Sequence, residues 1–350
     1  MTTVRSERRL RGGVVGVGHL GRHHARLLAA MPDVELIGVA DLDAARANAA
    51  VAGTTAEALG HADALVGRVD FVTIAVPTVD HLSVARPFLE RGTHVLVEKP
   101  IASSLAEADE LCNLARGSGA RLAVGHTERF NPAFSAARPL LRAPRFIEVH
   151  RLSGFPERSL DIDVIFDVMV HDLDIILAVD GTDVVSVAAI GVPVLTPVID
   201  ICNARLTFAS GAIANVTASR ISRDKLRKMR FFQPDAYISV DFAAQSAEAW
   251  RVTPRPGERP AIEGGPLPVD RDEPLRRELV DFVEAIQTGR EPLVTGQDGV
   301  RALALATRIA AACRAAEAGA TDPARRSGVG RGAPASDGAR GFGGTKSLGE

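Results

Sequence analysis

The sequence is poor in cysteine, in tyrosine and tryptophan, and in net charge. Its three cysteines, Cys112, Cys202 and Cys313, form no C-x-x-C pair, which argues against a disulfide framework and a cysteine-rich zinc site. A formal net charge of -2 provides no overall positive field, so neither nucleic acid nor an anionic membrane is expected as a partner. No apolar run reaches the roughly 18 residues of a membrane-spanning helix, so no membrane insertion is expected. These absences predict a globular protein of the reducing cytoplasm that acts on a small molecule.

The hydrophobic pattern changes between two parts of the chain, whose 350 residues are 46% hydrophobic. From Gly12 to Gly125, short apolar runs alternate with helix-period segments, which is typical of parallel strands connected by helices. After Pro132, one long helix over residues 162–179 is followed by strands without intervening helices, which is typical of an antiparallel sheet. The predicted strands cover residues 14–17, 35–40, 70–76, 94–97 and 121–124 in the first part, and residues 184–191, 200–208, 212–219, 228–232 and 237–241 in the second.

We therefore predict an α/β fold with two domains and a tail. Residues 1–125 form a doubly wound parallel sheet with its helices. Residues 126–318 form an α/β domain on an open, largely antiparallel sheet, which helices over residues 275–287 and 299–318 complete. Residues 319–350 are mostly Gly, Ala, Ser, Arg and Pro with hardly any large apolar side chains, which predicts a disordered tail.

The first turn of the parallel region carries a phosphate-binding pattern. The segment Gly16-Val17-Gly18-His19-Leu20-Gly21 follows an apolar strand and opens a helix, and Asp41 ends the next strand. Such glycines let backbone N–H groups approach a pyrophosphate, and a carboxylate at the next strand end accepts from ribose hydroxyls. We therefore predict a Rossmann domain that binds NAD rather than NADP, since Asp41 repels a 2′-phosphate and Leu42, not arginine, follows it. The alternative is a turn that serves only packing, with Asp41 as a helix cap.

A nicotinamide cofactor needs a protein group that moves the hydroxyl proton, and several usual groups are missing. Tyr237 is the sole tyrosine, and Asp241 rather than lysine stands four residues after it. The scattered cysteines offer no catalytic zinc site. Lysine, histidine and carboxylate side chains therefore remain as candidates for the proton transfer.

Two segments supply such side chains. Lys99 follows an apolar strand at its carboxyl end, where open α/β sheets bind ligands, and its ammonium can hydrogen-bond a substrate oxygen. Asp167 and His171 are four residues apart in the long helix, so the carboxylate can stabilise the imidazolium that forms when His171 removes a proton. The alternatives are a solvated Lys99, a purely structural Asp167–His171 pair, and a metal site that adds Asp174.

These motifs resemble those of the Gfo/Idh/MocA oxidoreductases, named after glucose-fructose oxidoreductase and inositol dehydrogenase. The resemblance covers about residues 10–318 and rests on the glycine turn, Ala75-Val76-Pro77 with His81, Glu98-Lys99-Pro100 and Asp167-x-x-x-His171. Members of the family often have glycines just before the last of these motifs, where this chain has Val164-Ile165-Phe166.

The resemblance implies roles for the residues of each motif. Besides the glycine turn and Asp41, the implied contacts to NAD come from Pro77, His81 and Glu98. In the implied chemistry Lys99 positions a sugar or cyclitol hydroxyl, His171 is its base, and Asp167 orients the substrate or the histidine. The resemblance also implies a homodimer or homotetramer that forms through the open sheet.

Other segments are similar to family members that act on sugar nucleotides, namely residues 126–132, 150–152 and 158–161. This similarity implies NAD-dependent oxidation at C3 of UDP-N-acetylglucosamine, on the route to lipid A. A diphosphate needs cations and a sugar needs hydrogen-bonding groups, for which the candidates are Arg151, Arg158, Arg220, Arg223, Arg227 and Asn131. Each arginine can instead belong to a solvated face, and Asn131 can cap a helix before Pro132. The rival functions are an inositol or free-sugar dehydrogenase and a non-catalytic NAD-binding regulator.

Overall fold

The computed structural model of the protein describes residues 8–155, 161–255 and 259–321, which form two β-sheets and the helices around them. The first sheet consists of β1 (Leu10–Val15), β2 (Val34–Ala40), β3 (Glu57–Leu59), β4 (Phe71–Ile74), β5 (His94–Glu98) and β6 (Leu122–Gly125). The second consists of β7 (Phe146–Leu152), β8 (Val184–Val192), β9 (Ile201–Phe208), β10 (Ile213–Ser219), β11 (Leu226–Phe232), β12 (Ala236–Asp241), β13 (Ser246–Thr253) and β14 (Ala261–Pro266). The α-helices are α1 (Gly21–Ala30), α2 (Ala44–Val51), α3 (His81–Leu89), α4 (Leu105–Ser118), α5 (Pro132–Ala137), α6 (Val170–Asp180), α7 (Pro274–Thr288) and α8 (Gly296–Thr321).

The first sheet is parallel throughout, in the order β3-β2-β1-β4-β5-β6. Val14, Phe71 and Val95 are fully buried because helices cover both faces of the sheet. The strand order changes direction between β1 and β4, and doubly wound sheets bind ligands at the carboxyl ends of the strands at such a point. The predicted Rossmann-type sheet is confirmed.

The second sheet has the order β14-β13-β12-β11-β7-β10-β9-β8 and is antiparallel except where β7 pairs with β10. One of its faces, with Val149, Ala204 and Phe231, is buried with Leu173 of α6 and Ile309 of α8 in a single apolar core. The other face carries exposed and half-buried side chains. The predicted largely antiparallel, open sheet is also confirmed.

A π-helical turn, Ile165–Met169, precedes α6 where the sequence predicted one continuous helix over residues 162–179. Val170 N donates to Ile165 O, five residues back, which widens the helix at this point. Ile165 and Met169 are fully buried in the core of the second domain. The extra residue in the turn rotates Asp167 out of the four-residue register with His171 that the sequence suggested.

The two C-terminal helices connect the domains. Leu279 and Phe282 of α7 pack with Val14 and Leu28 in the core of the parallel sheet, although the sequence assigned this helix to the second domain. In α8, Val300 and Leu303 pack in the core of the first domain, whereas Leu305 and Ile309 pack in the core of the second. Apolar periodicity identified the buried faces of these helices, but it carries no information about which sheet buries them.

Four observed strands, β3, β7, β13 and β14, were not predicted from the sequence. In β13 and β14 most side chains are exposed or half-buried, so these strands lack a continuous apolar face. The helix α8 continues to Thr321, three residues beyond its predicted end, and the remainder of the predicted tail lies outside the described residues. Within the described ranges, no helix is both long and apolar enough to cross a bilayer.

Candidate active site

The glycine turn lies at the carboxyl end of β1. Gly16 has φ of 81°, a conformation that favours glycine, and a Cβ there would lie 2.8 Å from Ala75 O. A Cβ on Gly21 would lie 1.7 Å from Gly16 O, so this glycine permits α1 to pack against the turn. A Cβ on Gly18 would meet no atom of the described residues within 4 Å. Because packing does not require a glycine at position 18, the open space beside it suits the close approach of a ligand phosphate.

Asp41 stands at the end of β2 beside this turn. Its Oδ2 accepts a hydrogen bond from Val17 N at 2.7 Å, and its Oδ1 accepts one from Asp43 N at 2.8 Å. The cap of α2 is Asp43, whose side chain accepts from Ala45 N and Arg46 N. Asp41 is therefore not the helix cap of the alternative interpretation, and its carboxylate retains lone pairs for ribose hydroxyls.

The other predicted cofactor contacts differ in exposure, since His19, Leu20 and Pro77 are exposed whereas His81 is only 1% exposed. The His81 ring has Nδ1 at 3.2 Å from Ile101 O and Nε2 at 3.1 Å from Val76 O. Both ring nitrogens thus lie at backbone carbonyls, and neither is directed to a ligand. The expected direct contact of His81 with NAD is corrected: the ring connects the loop after β4 to the loop after β5.

Glu98, the last residue of β5, is also buried by the protein rather than presented to a ligand. Its Oε1 lies 3.1 Å from Nε2 of His24 on α1, and its Oε2 accepts from Lys99 N at 3.2 Å. Burial raises the pKa of the carboxyl, but the hydrogen bond and charge of His24 and the charge of Lys99 outweigh it and hold the pKa below its usual value. A Cβ on Gly125 would lie 2.9 Å from Glu98 Oε2, so the glycine that ends β6 makes room for this carboxylate. The expected role of Glu98 is thereby corrected from direct cofactor contact to support of the backbone at Lys99.

A second buried carboxyl, Glu278 of α7, lies in the same region. Its side chain is 2% exposed, Oε2 accepts from Thr127 Oγ1 at 3.4 Å, and Oε1 has no hydrogen-bond partner among the described residues. Burial raises the pKa of Glu278 well above its usual value, and the negative charge of Glu98 raises it further. Glu278 is therefore expected to be neutral beside an ionised Glu98.

Lys99 pairs with Asp167 across the domain boundary. Its Nζ donates to Asp167 O at 2.6 Å and lies 3.1 Å from Asp167 Oδ1, and the lysine side chain is 13% exposed. An ammonium has three N–H donors, so one remains for a substrate oxygen. The solvated lysine considered from the sequence is therefore wrong, because Lys99 is held at the carboxyl end of β5 by a carboxylate on the π turn.

His171, in the first turn of α6, does not have Asp167 as its hydrogen-bond partner. Its Nδ1 is buried without a partner among the described residues, and its ring stands edge-on to the ring of His126 with centroids 6.1 Å apart. Burial lowers the pKa of His171 well below its usual value, and the charges of Lys99 and Arg151 lower it further. The expected carboxylate–imidazole pair is corrected, and the neutral imidazole is the form of His171 that can accept a proton.

Arg151, expected to bind substrate phosphate, is paired inside the protein. Its Nε lies 2.9 Å from Asp172 Oδ2, its Nη1 lies 2.8 Å from Glu128 Oε1, and the residue is only 5% exposed. Its guanidinium also lies over the ring of Phe242 at 5.8 Å from the centroid. Because its donors already bond to two carboxylates, the prediction that Arg151 binds phosphate is wrong for this conformation.

Arg220 and Asn131 are likewise occupied by structural contacts. Arg220 is 1% exposed and donates to Asp200 at 2.8 Å and to Ile162 O at 2.7 Å, so it is not a phosphate ligand. Asn131 caps α5 by accepting from Ala133 N at 3.1 Å, as its alternative interpretation held. Its amide donates to Phe242 O at 3.0 Å, and the residue is 2% exposed.

Two of the predicted cations remain accessible. Arg223 is exposed, and the Arg227 side chain is 53% exposed, with its Nη1 3.8 Å from Glu128 Oε1. The charge of Arg227 is also one of those that lower the pKa of His171. Arg158 lies outside the described residues. The accessible positive charge at the start of β11 is therefore where an anionic substrate group can be bound.

The metal-site alternative joined Asp167, His171 and Asp174. Asp174 instead bonds Arg129 Nε at 2.8 Å and is 2% exposed. In the part of the chain that the structure describes, no group of three or more His, Cys, Asp or Glu side chains is arranged to hold a metal ion.

Sequence reasoning assigned no role to three buried side chains around Lys99 and His171. These are His24 on α1, His126 directly after β6, and Glu278 on α7. Glu278 had a detectable signal, because it precedes Leu279 and stands four residues before Phe282, on the apolar face of its helix. There was no such signal for His24 and His126, because the sequence does not show which side chain lies beside a buried histidine.

The residues of the turn fit a dinucleotide. The space at Gly18 admits a phosphate, backbone N–H groups at the start of α1 can bind it, and Asp41 can accept from the ribose of the adenosine. Bound there, NAD would accept a hydride, which is one proton with two electrons, from a substrate carbon. The residues that then act on a substrate are those at the carboxyl ends of β5 and β6 and on the helix after the π turn.

Comparisons with known proteins agree with this architecture. The family described as Gfo/Idh/MocA, oxidoreductase family with an NAD-binding Rossmann fold, matches residues 10–126, and the Gfo/Idh/MocA C-terminal domain matches residues 144–239. The chain is 39% identical over 309 residues to UDP-N-acetylglucosamine 3-dehydrogenase of Acidithiobacillus ferrooxidans, covering 87% of this chain and 98% of that protein. A crystal form of the same dehydrogenase superposes with a TM-score of 0.82 over 88% of this chain and 98% of that one.

A second relative acts on a cyclitol according to its name. Inositol 2-dehydrogenase of Rhizobium meliloti is 27% identical over 321 residues, covering 85% of this chain and 94% of that protein. The glycine turn, the strand-end lysine and the histidine after the π turn belong to a chain that contains both family domains. The chain therefore belongs to the Gfo/Idh/MocA family of NAD-binding oxidoreductases.

Proposed function

We propose that this oxidoreductase oxidises the C3 hydroxyl of UDP-N-acetylglucosamine to the 3-oxo sugar nucleotide, with NAD as the acceptor. The observation that carries the proposal is the Lys99–Asp167 contact of 2.6 Å, together with a half-buried His171 whose pKa is lowered by burial and by the charge of Lys99. This arrangement suits the removal of a proton from an alcohol, and it lies in a chain 39% identical to a UDP-N-acetylglucosamine 3-dehydrogenase.

In the proposed chemistry, Lys99 and His171 divide the work on the substrate hydroxyl. The remaining N–H of Lys99 donates to the hydroxyl oxygen and stabilises the negative charge that develops on it. His171 accepts the hydroxyl proton on Nε2, and general-base assistance of this kind contributes about 10²–10⁴ in rate. Asp167 holds the lysine Nζ in position through its carbonyl and its carboxylate. The positive charges of Lys99, Arg151 and Arg227 oppose the imidazolium, so the proton is released readily afterwards.

The basic start of β11 is the proposed site for the diphosphate of the substrate. Arg227 lies close enough to His171 to lower its pKa, and Arg223 stands exposed in the turn before this strand. Guanidinium groups bind phosphate oxygens in a bidentate manner, which suits a sugar nucleotide better than a free sugar. Arg158 stays a proposed ligand from the sequence alone.

A panel of substrates in one NADH-absorbance assay tests the proposal. UDP-N-acetylglucosamine should support NADH formation, whereas free N-acetylglucosamine and myo-inositol should not, because they lack the diphosphate. NMR of the product should find the new carbonyl at C3. Turnover of inositol with no turnover of the UDP-sugar would replace the proposal with the activity that the name of the second relative states.

The assembly and the location of the protein are further parts of the proposal. The open face of the second sheet contains the neighbouring aromatic rings of Phe146, Phe232 and Tyr237, and Trp250 and Ile190 are 37% and 58% exposed. Such a surface supports a homodimer or homotetramer, which light scattering after size-exclusion chromatography measures. The free thiols support a cytoplasmic enzyme, and the 3-oxo product would supply lipid A synthesis.

A further inference from the structure

The catalytic imidazole has a neighbour that the proposed chemistry does not yet use. The ring of His126 lies edge-on to that of His171, with an interplanar angle of 89° and centroids 6.1 Å apart. Both Nδ1 atoms are buried, and neither has a hydrogen-bond partner among the described residues. On each of the two adjacent imidazoles, Nδ1 therefore lacks a hydrogen-bond partner.

The position of His126 is fixed by its backbone. Its N–H donates to Val124 O at 2.7 Å, and its carbonyl accepts from Arg129 N at 3.0 Å, directly after β6. The residue is 1% exposed, so its ring has little freedom to turn towards water. Because the backbone on both sides is hydrogen-bonded, this histidine is a rigid part of the wall behind His171.

The charged groups near the two rings have other partners. Asp174 and Arg129, which face His126, bond to each other at 2.8 Å, and Glu98 bonds His24 at 3.1 Å. The groups that face His171 are the cations Lys99, Arg151 and Arg227, together with His126 itself. Four carboxylates of this region are thus engaged by Lys99, Arg129, Arg151 and His24. The fifth, Glu278, accepts from Thr127 Oγ1 at 3.4 Å.

A buried polar atom without a hydrogen-bond partner is destabilising, and one water can satisfy two such atoms on neighbouring rings. A neutral imidazole carries one N–H donor and one acceptor nitrogen, and a water can accept from the nitrogen of one ring while it donates to the nitrogen of the other. If His126 donated, His171 would carry its proton on Nε2 and could not take another there.

We propose that His126 is a positioning residue: its Nδ1 accepts, through one water, from Nδ1–H of His171 and thereby fixes the tautomer with an unprotonated Nε2. The direction of this bond rests on the proposed function, since only that tautomer is a base towards the cleft. His126 thus has the role that the sequence assigned to Asp167, which is to stabilise the imidazolium of His171. As the substrate proton reaches Nε2, the acceptor at His126 stabilises the Nδ1–H of the imidazolium.

The matched substitutions His126→Asn and His126→Leu test the proposal, because the two side chains have the same shape and asparagine Oδ1 replaces Nδ1 as acceptor. The first readout is ¹⁵N NMR of the full-length, histidine-labelled protein without ligands, with the His171 signals assigned through His171→Gln. Wild type should show Nδ1–H on His171, His126→Leu should lose this preference, and His126→Asn should recover it. A third substitution, His150→Leu, removes another histidine with a buried, unpartnered Nδ1 and should leave the His171 signals unchanged.

The second readout is turnover. His126→Leu should lower kcat by about tenfold or more, the size typical for loss of a group that orients a reacting histidine, whereas His126→Asn should recover most of it. An Nε2–H tautomer of His171 in wild type, an unchanged tautomer in His126→Leu, or an equal loss in the Leu and Asn variants would overturn the proposal. The NMR experiment needs no substrate, so it tests the role of His126 separately from the proposed function. Failure of the proposed function would appear as absence of NADH formation by wild type.

Discussion

The candidate site has two walls, the carboxyl edge of the parallel sheet and the part of the antiparallel domain that contacts it through Asp167. The two walls present their binding groups in different ways. On the wall of the parallel sheet, the ligand-facing groups are backbone N–H groups and open space at Gly18, with Asp41 beside them. On the wall of the antiparallel sheet, charged side chains dominate, and Arg151 and Arg220 bond to carboxylates of their own domain. The backbone N–H groups of a glycine turn can bind a ligand as soon as the turn has folded. An arginine can bind an anionic ligand only if no carboxylate of the protein pairs with it.

This difference explains which predictions about the site survive. The turn could be interpreted from sequence because the position of its backbone follows from glycine and from the strand before it. The arginines could not, since their partners Asp172 and Asp200 are 21 and 20 residues away along the chain. Lys99 lies at the end of β5, and it is held by Asp167 of the π turn, which belongs to the other domain.

The largest expected effect is at the junction of the walls. Lys99→Met and His171→Leu should each lower kcat by about 10²–10⁴, because each removes a group that acts on the hydroxyl. Calorimetry should find NAD binding retained, since the glycine turn is untouched. Arg116→Met serves as the control, because this exposed arginine at the end of α4 bonds Asn113 of its own helix, and turnover should stay at the wild-type level. Normal turnover of both cleft variants would remove the catalytic assignment.

The next effect contrasts two arginines of the antiparallel wall. Arg151→Ala leaves Asp172 and Glu128 without their cation in a buried site, which typically costs about 3–5 kcal/mol of stability. Arg227→Ala should leave the melting temperature within about 1 °C of wild type and raise KM for the UDP-sugar about tenfold. Thermal melts and steady-state kinetics measure both. Wild-type stability of Arg151→Ala, together with normal substrate binding by Arg227→Ala, would contradict the structural role of Arg151 and the binding role of Arg227.

A smaller effect separates two glycines of the parallel wall. Gly18→Ala should weaken NAD binding about tenfold, or about 1.4 kcal/mol, without changing the melting temperature, because the new methyl group meets the ligand and not the protein. Gly21→Ala should instead lower the melting temperature, because its Cβ collides with Gly16 O. Calorimetric titration with NAD and thermal melts of both variants decide the matter. Unaltered affinity in Gly18→Ala would show that the phosphates bind elsewhere.

The smallest effect concerns Glu278, which supports the parallel wall from α7. Its pKa is raised in the folded protein, so its contribution to stability is complete below about pH 4.5, the unfolded value, and is lost as the pH rises towards the folded pKa. Glu278→Gln cannot ionise and should therefore melt about 2 °C above wild type at pH 8 but not at pH 5. Glu284→Gln, on the exposed face of the same helix, should show no such pH dependence. Parallel melting curves for wild type and Glu278→Gln would contradict the neutral state of this carboxyl.

The fold could be predicted further than the site. Apolar runs such as Val95-Leu96-Val97 identify a sheet covered on both faces, and successive strands without helices identify the antiparallel sheet. The π turn could not be predicted, because its residues, Ile165 to Met169, are as compatible with an α-helix as with the observed widening. Because of that one turn, Asp167 contacts Lys99 and not His171. The partner of Asp167 therefore depends on a detail of the backbone that hydrophobic periodicity does not predict.

The most direct test of the account is to follow the hydrogen on C3 of the substrate. UDP-N-acetylglucosamine deuterated at C3 should transfer its deuterium to the nicotinamide ring, as mass spectrometry of the NADH measures, and its oxidation should be slower than that of the unlabelled sugar whenever this step limits turnover. NADH formed without deuterium, or deuterium retained in the sugar product, would contradict oxidation at C3 between the glycine turn and His171.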